Sequence, residues 1–426
     1  MTAFHARYAW VGGTVARDVR LDVAGGRFTA VTPGGAAAGA IRLPGLVLPG
    51  LANAHSHAFH RALRGRTQDR RGSFWTWREQ MYALAGALEP DSYLALARAV
   101  FGEMALAGVS CVGEFHYLHH GPDGVPYDDP NAMGHALIEA AREAGIRITL
   151  LDTVYLTSTV DGAPLEGVQR RFGDRDLDAW RNRVAALRPA PHALPGAALH
   201  SVRAVPAAVL SGLSGMRPLH LHLSEQRAEN EQCLAAHGCT PTELLHRNGV
   251  LGPHTTAVHA THLTDGDIKM LGGTGTGACL CPTTERDLAD GIGPARALAD
   301  AGSPLSLGSD SHAVIDLFEE ARAVELDERL AAERRGRFTP AELLAAAANH
   351  AALGWDDAGT LAPGYRADLV AVSMDSVRTA GVDPAQAVFA ATGADVTHVV
   401  VDGRTIVADG RHTGFDVAAA LREVLS

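Results

Sequence analysis

The chain has 426 residues, 46% of them hydrophobic, enough for a large buried core and too long for one small domain. Its formal charge is −11, from 37 basic and 48 acidic residues with no long basic block, so no nucleic-acid surface is expected and an anionic ligand would need particular arginines. No run approaches a membrane span, the N-terminus lacks a basic region followed by an apolar one, and the five cysteines show no C-x-x-C spacing, so a cytoplasmic protein without membrane contact is expected.

In chain order, short β-type pieces at 8–11, 19–23 and 28–31 alternate with glycines, which predicts a small sheet with tight turns. The same texture returns only near the other end, at 367–372, 398–401 and 404–407, with Asp402-Gly403 as a hairpin turn between the last two. A β-sandwich built from 1–47 together with 360–412 is the simplest arrangement, with 413–426 as a C-terminal helix.

Between these ends the pattern changes. Apolar strand-like runs at 46–57, 109–117, 146–155, 196–202, 218–225, 257–263, 277–284 and 304–312 alternate with helical segments such as 92–107, 132–144, 177–187, 227–246 and 294–301. Eight strands alternating with helices predict an α/β fold, a (β/α)8 TIM-type barrel over 48–359, with its chemistry at the C-terminal strand ends.

Those ends are polar. Strand one closes on Ala-His-Ser-His, and His55 and His57, two apart on an extended strand, point to one face. Alone, the pair fits either half a metal site or a polar strand end. Strand five offers His220, His222 and Glu225, strand six His259 and His262, and strand eight Asp310 after Gly308, read as a flexible glycine. Four strand ends carrying His, Glu or Asp where a barrel would focus them predict a metal centre. Cys279 and Cys281, on one face of an apolar strand, read as core, and His116, His119 and His120 have no evident purpose.

The set H-x-H, a later H-x-x-E, a strand-six His and a strand-eight Ser-Asp resembles the amidohydrolase superfamily. The resemblance implies the same barrel-plus-sandwich architecture. It implies His55, His57, His222 and Asp310 as metal ligands, Asp310 also taking a proton from the bound water, and Glu225 with His259 as proton shuttle and stabilising group. Two-metal members bridge their metals with a strand-four lysine. The only lysine here, Lys269, falls after strand six, so one divalent metal per subunit is expected, Zn2+ or Fe2+. His220 reads as a wall or outer residue and His262 as structural.

Four further segments, Ser73–Tyr82 as an aromatic-rich loop with Trp75 and Trp77, Gly-Glu-Phe-His-Tyr ending at Tyr117, His200-Ser-Val-Arg203, and Cys-Pro-Thr-Thr-Glu-Arg-Asp from Cys281, resemble the N-formimino-L-glutamate deiminases. That resemblance implies hydrolytic deimination of a small dianionic substrate in histidine breakdown, by a homodimer. It implies Arg78, Tyr117, His200 and Arg203 as substrate-binding residues, chiefly for the two carboxylates. His60 stands where these relatives carry Gln, and is expected at the substrate as well. The alternative reading is a ring deaminase or chlorohydrolase of the same superfamily, which would want stacking walls rather than paired arginines.

Overall fold

The computed structural model describes residues 2–67 and 74–426, the side chains of 74–76 excepted. Strands Thr2–Val11, Thr14–Ala24, Arg27–Thr32 and Ile41–Pro49 join Leu369–Val372, Val396–Val401, Arg404–Ala408 and Arg411–His412 in one mixed eight-stranded sheet. The two ends of the chain meet where Leu369 pairs with Pro49 and Val370 with Leu48, antiparallel. The sheet bends back on itself, so that Arg27 bridges Arg366 and one core gathers Phe4, Leu21, Phe28, Leu43, Leu369 and Val400. Asp402 and Gly403 both take positive φ, 47° and 75°, the pair of angles a two-residue hairpin of this twist requires.

The second sheet is the barrel. Its strands, one to eight, are Leu51–Ser56, Val109–His116, Arg147–Val154, Ala193–Leu199, Leu219–Leu223, Thr255–His259, Gly277–Leu280 and Leu305–Leu307, paired in parallel in that order. It closes where His57 N–H donates to Asp310 O at 3.2 Å and Asp310 N–H to His55 O at 3.0 Å. The Asn53 amide tightens this seam, donating to Ser309 Oγ at 2.7 Å and accepting from Ser309 N–H at 2.9 Å. The expected run 46–57 is thus two strands in two sheets. The chain crosses at Gly50, where a Cβ would stand 2.5 Å from Ser110 Oγ.

Helices follow their local signals. Thr264 and Asp267 form a reciprocal N-terminal box, as do Thr339 and Glu342. The expected helix 227–246 is broken into Arg227–His237 and Pro241–Arg247, because Gly238 adopts a left-handed cap at φ 67° and Pro241 opens a new helix behind Thr240. The segment expected as a loop at 73–82 is the start of a helix, Phe74–Ala87; Ser73 and the Trp75 side chain lie outside the described residues. Among the described residues no helix is long and apolar enough to cross a membrane.

Barrel and sheet are locked by a buried ion pair. Arg147 at the base of strand three donates from Nη1 to Asp368 Oδ1 at 3.0 Å and from Nη2 to Oδ2, and lies over the Trp355 ring at 5.1 Å. Both partners are inaccessible to solvent. Arg147→Met is expected to lower unfolding free energy by about 3–5 kcal/mol, because it strands a carboxylate in the interior. Chemical denaturation would measure this, and a loss under 1 kcal/mol (roughly an exposed pair's worth) would show that the pair does not hold the two sheets together.

Candidate active site

Five non-glycine residues at the C-terminal ends of strands five, six and eight sit at left-handed φ: Ser224 at 50°, His259 at 66°, Ala260 at 50°, Asp310 at 41° and His312 at 58°. Such angles cost about 1–3 kcal/mol each and persist only where the surroundings over-determine them. Two of them, His259 and Asp310, carry side chains that line the cavity at the barrel mouth. Gly308 serves close approach rather than flexibility, since a Cβ there would meet His55 Cβ at 2.7 Å and Cys281 Sγ at 3.0 Å.

Four side chains converge beneath that mouth. Asp310 Oδ1 lies 3.2 Å from His55 Nε2 and 3.4 Å from His57 Nε2, and His55 Nε2 lies 3.1 Å from His222 Nε2. Donor atoms bound tetrahedrally at about 2.0–2.1 Å to one cation stand about 3.3 Å apart, which these three separations match; donor atoms of His55, His222, His259 and Asp310 lie within 4.8 Å of one another, and those of His57, His60 and Asp310 do likewise. The tautomers fit too. His57 Nδ1–H donates to Phe115 O at 3.0 Å and His222 Nδ1–H to His200 O at 2.8 Å, which leaves both Nε2 lone pairs facing inward. Glu114 clamps the turn around His57, accepting from Ser56 Oγ at 2.5 Å and Ala58 N–H at 2.6 Å; burial nonetheless pushes its carboxyl up to about 8.

Beside this cluster, His259 Nε2 stands 3.8 Å from Glu225 Oε1 and 3.7 Å from Asp310 Oδ2. Its Nδ1 faces Glu285 Oε1 at 3.4 Å, an oxygen held by Cys281 N–H at 2.9 Å. Burial works against a charged imidazole here, but the carboxylates of Glu225, Glu285 and Asp310 outweigh it and raise the His259 pKa well above its ordinary value. Burial likewise raises the Glu225 carboxyl, opposed by His259.

One cavity opens onto these groups. Its wall carries His57, His222, Asp310, Glu225 and His259 together with His60, Arg78, Tyr117, His200 and Arg203. Of the expected site residues only His55 lies off this wall, fully buried behind it. His60 Nε2 is 3.0 Å from Tyr117 Oη, and burial pushes its pKa down to about 3, so the ring is neutral. Arg203 Nη1 donates to Tyr155 Oη at 3.3 Å and Arg78 Nε to Tyr82 Oη at 2.7 Å.

Other expectations resolve into packing. His220 Nε2 donates to Ala352 O at 2.8 Å, inside the barrel and away from the cavity. Cys279 and Cys281 are fully buried. His116 and His119 approach Asp152, but that carboxylate is already held by Arg183 at 2.7 Å and 2.9 Å and by Trp180 Nε1 at 2.9 Å. Sequence reasoning singled out the segments that carry Glu285 and Tyr82 but gave neither residue a role, and it missed Tyr155 and Gln169, which had no signal beyond ordinary composition.

The model of the amidohydrolase family matches residues 46–406. Formimidoylglutamate deiminase of Pseudomonas aeruginosa is 36% identical over 98% of this chain and 97% of its own length. The 8-oxoguanine deaminase of the same species is 30% identical, over 88% of this chain and 85% of its own. The crystal structure of an amidohydrolase from Brucella melitensis superposes with a TM-score of 0.91 at 32% identity, covering 100% of this chain and 99% of that one. Matched from the last strand of the N-terminal sheet through the whole barrel, the chain belongs to the amidohydrolase family.

Proposed function

We propose that the protein hydrolyses N-formimino-L-glutamate to N-formyl-L-glutamate and ammonia. The observation that carries this reading is that the guanidiniums of Arg78 and Arg203 line one cavity with Glu225, His259 and Asp310. Two guanidiniums match a dianion of this size by paired hydrogen bonds to each carboxylate. A purine or triazine ring offers neither guanidinium a carboxylate. Full-length similarity to the Pseudomonas deiminase supports the same choice.

His55, His57, His222 and Asp310 would hold one divalent cation, zinc in this reading and iron(II) as the other ion such a set accepts. When bound, that cation supplies a water acidified toward neutrality. Asp310 turns Oδ1 to His55 and His57 and Oδ2 to His259, so Oδ2 is the oxygen that takes the proton of the attacking water. Water adds to the formimino carbon, the C–N bond to the terminal nitrogen breaks, and Glu225 delivers a proton to the departing ammonia. His259, between three carboxylates, donates from Nε2 toward the charge that develops on the added oxygen. Arg78 and Arg203 hold the carboxylates, and His60, Tyr117 and His200 line the space between.

Purified protein loaded with zinc is expected to release ammonia from N-formimino-L-glutamate, and not from guanine or formamidine. Ammonia from guanine in its place would keep the metal chemistry and discard the substrate. The resemblance to the N-formimino-L-glutamate deiminases supports assigning the reaction to histidine breakdown and the enzyme to a homodimer.

A further inference from the structure

The two arginines are not held independently. Arg78 donates to Tyr82 Oη at 2.7 Å, and Arg203 to Tyr155 Oη at 3.3 Å. A single amide joins the two hydroxyls: Gln169 Nε2 lies 3.1 Å from Tyr82 Oη and 3.3 Å from Tyr155 Oη. The orientation of that amide is fixed, because Gln169 Oε1 accepts from the backbone N–H of Glu166 at 3.3 Å, which turns the NH2 group toward the tyrosines. Gln169 is buried, at 5% exposure.

The turn that carries it, Gly167–Arg171, is itself pinned to the helix that carries Arg78. The buried Arg171 donates to Ala85 O at 2.7 Å, Gly86 O at 2.9 Å and Leu88 O at 2.6 Å, the carbonyls that end Phe74–Ala87. A guanidinium on a helix C-terminus also meets the negative end of its dipole. The bridge from Arg78 to Arg203 therefore runs through groups with little freedom to shift. At Tyr155 both lone pairs are engaged, so the hydroxyl can only donate to a further group.

We propose that Gln169 is the specificity-determining residue of this site: by joining Tyr82 to Tyr155 it sets the spacing of Arg78 and Arg203, and so selects a dicarboxylate of glutamate length over its one-methylene-shorter homologue. The inference rests on the substrate reading above. Gln169 touches the tyrosines and not the reacting atoms, so its effect falls on recognition.

The test compares N-formimino-L-glutamate with N-formimino-L-aspartate in the zinc enzyme. Wild type is expected to prefer the longer substrate in kcat/KM. Gln169→Leu, of similar volume but unable to bridge, is expected to raise KM for it by about tenfold, with kcat within about threefold, and to cut the preference by about tenfold. Metal content and circular dichroism report whether the variant is folded. Where Gln169→Leu loses metal, Tyr155→Phe, which removes one hydroxyl of the bridge, is expected to show the same loss of preference. An unchanged preference in the folded variant overturns the inference while leaving the activity standing, as does a wild type that uses both substrates equally. A wild type inert on both overturns the substrate reading itself and this inference with it.

Discussion

Arg203→Met is expected to leave bound metal unchanged and to lower kcat/KM for N-formimino-L-glutamate by about 10²–10⁴-fold. The size follows from what is removed. A guanidinium on a carboxylate makes two charge-assisted hydrogen bonds of about 1.5–3 kcal/mol each, and methionine replaces neither. Methionine keeps the aliphatic stem and loses the Nη1 hydrogen bond to Tyr155 Oη together with the fork. The metal cluster meets this segment through a main-chain group, the His200 carbonyl that accepts from His222 Nδ1–H at 2.8 Å, and a change in the Arg203 side chain leaves that bond in place. Arg203→Lys is expected to recover only part of the loss, because an ammonium cannot supply the planar fork. Metal analysis and steady-state kinetics on the same preparation separate the outcomes. Normal kcat/KM with normal metal would end the assignment of Arg203 to a substrate carboxylate, and metal lost together with activity would reassign the residue to the fold.

How far the sequence announces this site depends on how local each signal is. His55 and His57 declare themselves through period-two geometry on one strand, and the strand ends that must meet them are legible because a barrel has only one mouth. Asp310 follows from the same argument. The seam that positions it does not, because the amide of Asn53 and the backbone of Ser309 are 256 residues apart in the chain. The chain's crossing at Gly50 is hidden for another reason: 46–49 and 51–56 are both buried strand, and nothing at their junction says that they belong to different sheets. The helix Phe74–Ala87 reads as a loop because its aromatic residues give a weak amphipathic pattern, whereas its C-terminal end is held by Arg171 from far along the chain. Arg78, Tyr117, His200 and Arg203 come from resemblance and share one cavity wall, but the tyrosine–glutamine bridge behind the arginines is a tertiary feature with no motif of its own. Hydrogen-bonded supports of this kind pair residues by position in space, so a single sequence carries no trace of the pairing.

Glu225→Gln is expected to bind metal and substrate as wild type does and to lose about 10²–10⁴-fold in kcat, the usual contribution of a positioned proton-transfer group. Glutamine matches the carboxylate in size and still meets His259 Nε2, which stands 3.8 Å from Oε1, but it carries no transferable proton. Burial favours the protonated form of Glu225 and the imidazole of His259 opposes it, so the carboxyl is set between the two demands of accepting a proton and releasing it to ammonia. Asp310 cannot make up the loss, because its Oδ1 faces two imidazoles and its Oδ2 is committed to the attacking water. The leaving nitrogen would then have to depart unprotonated, which is the costliest step for an amidine. Single-turnover release of ammonia, measured beside metal content and KM, isolates that step. A loss in kcat below tenfold would mean that the proton reaches nitrogen by another route, through His259 or solvent, and would move Glu225 from proton carrier to a residue that only orients His259.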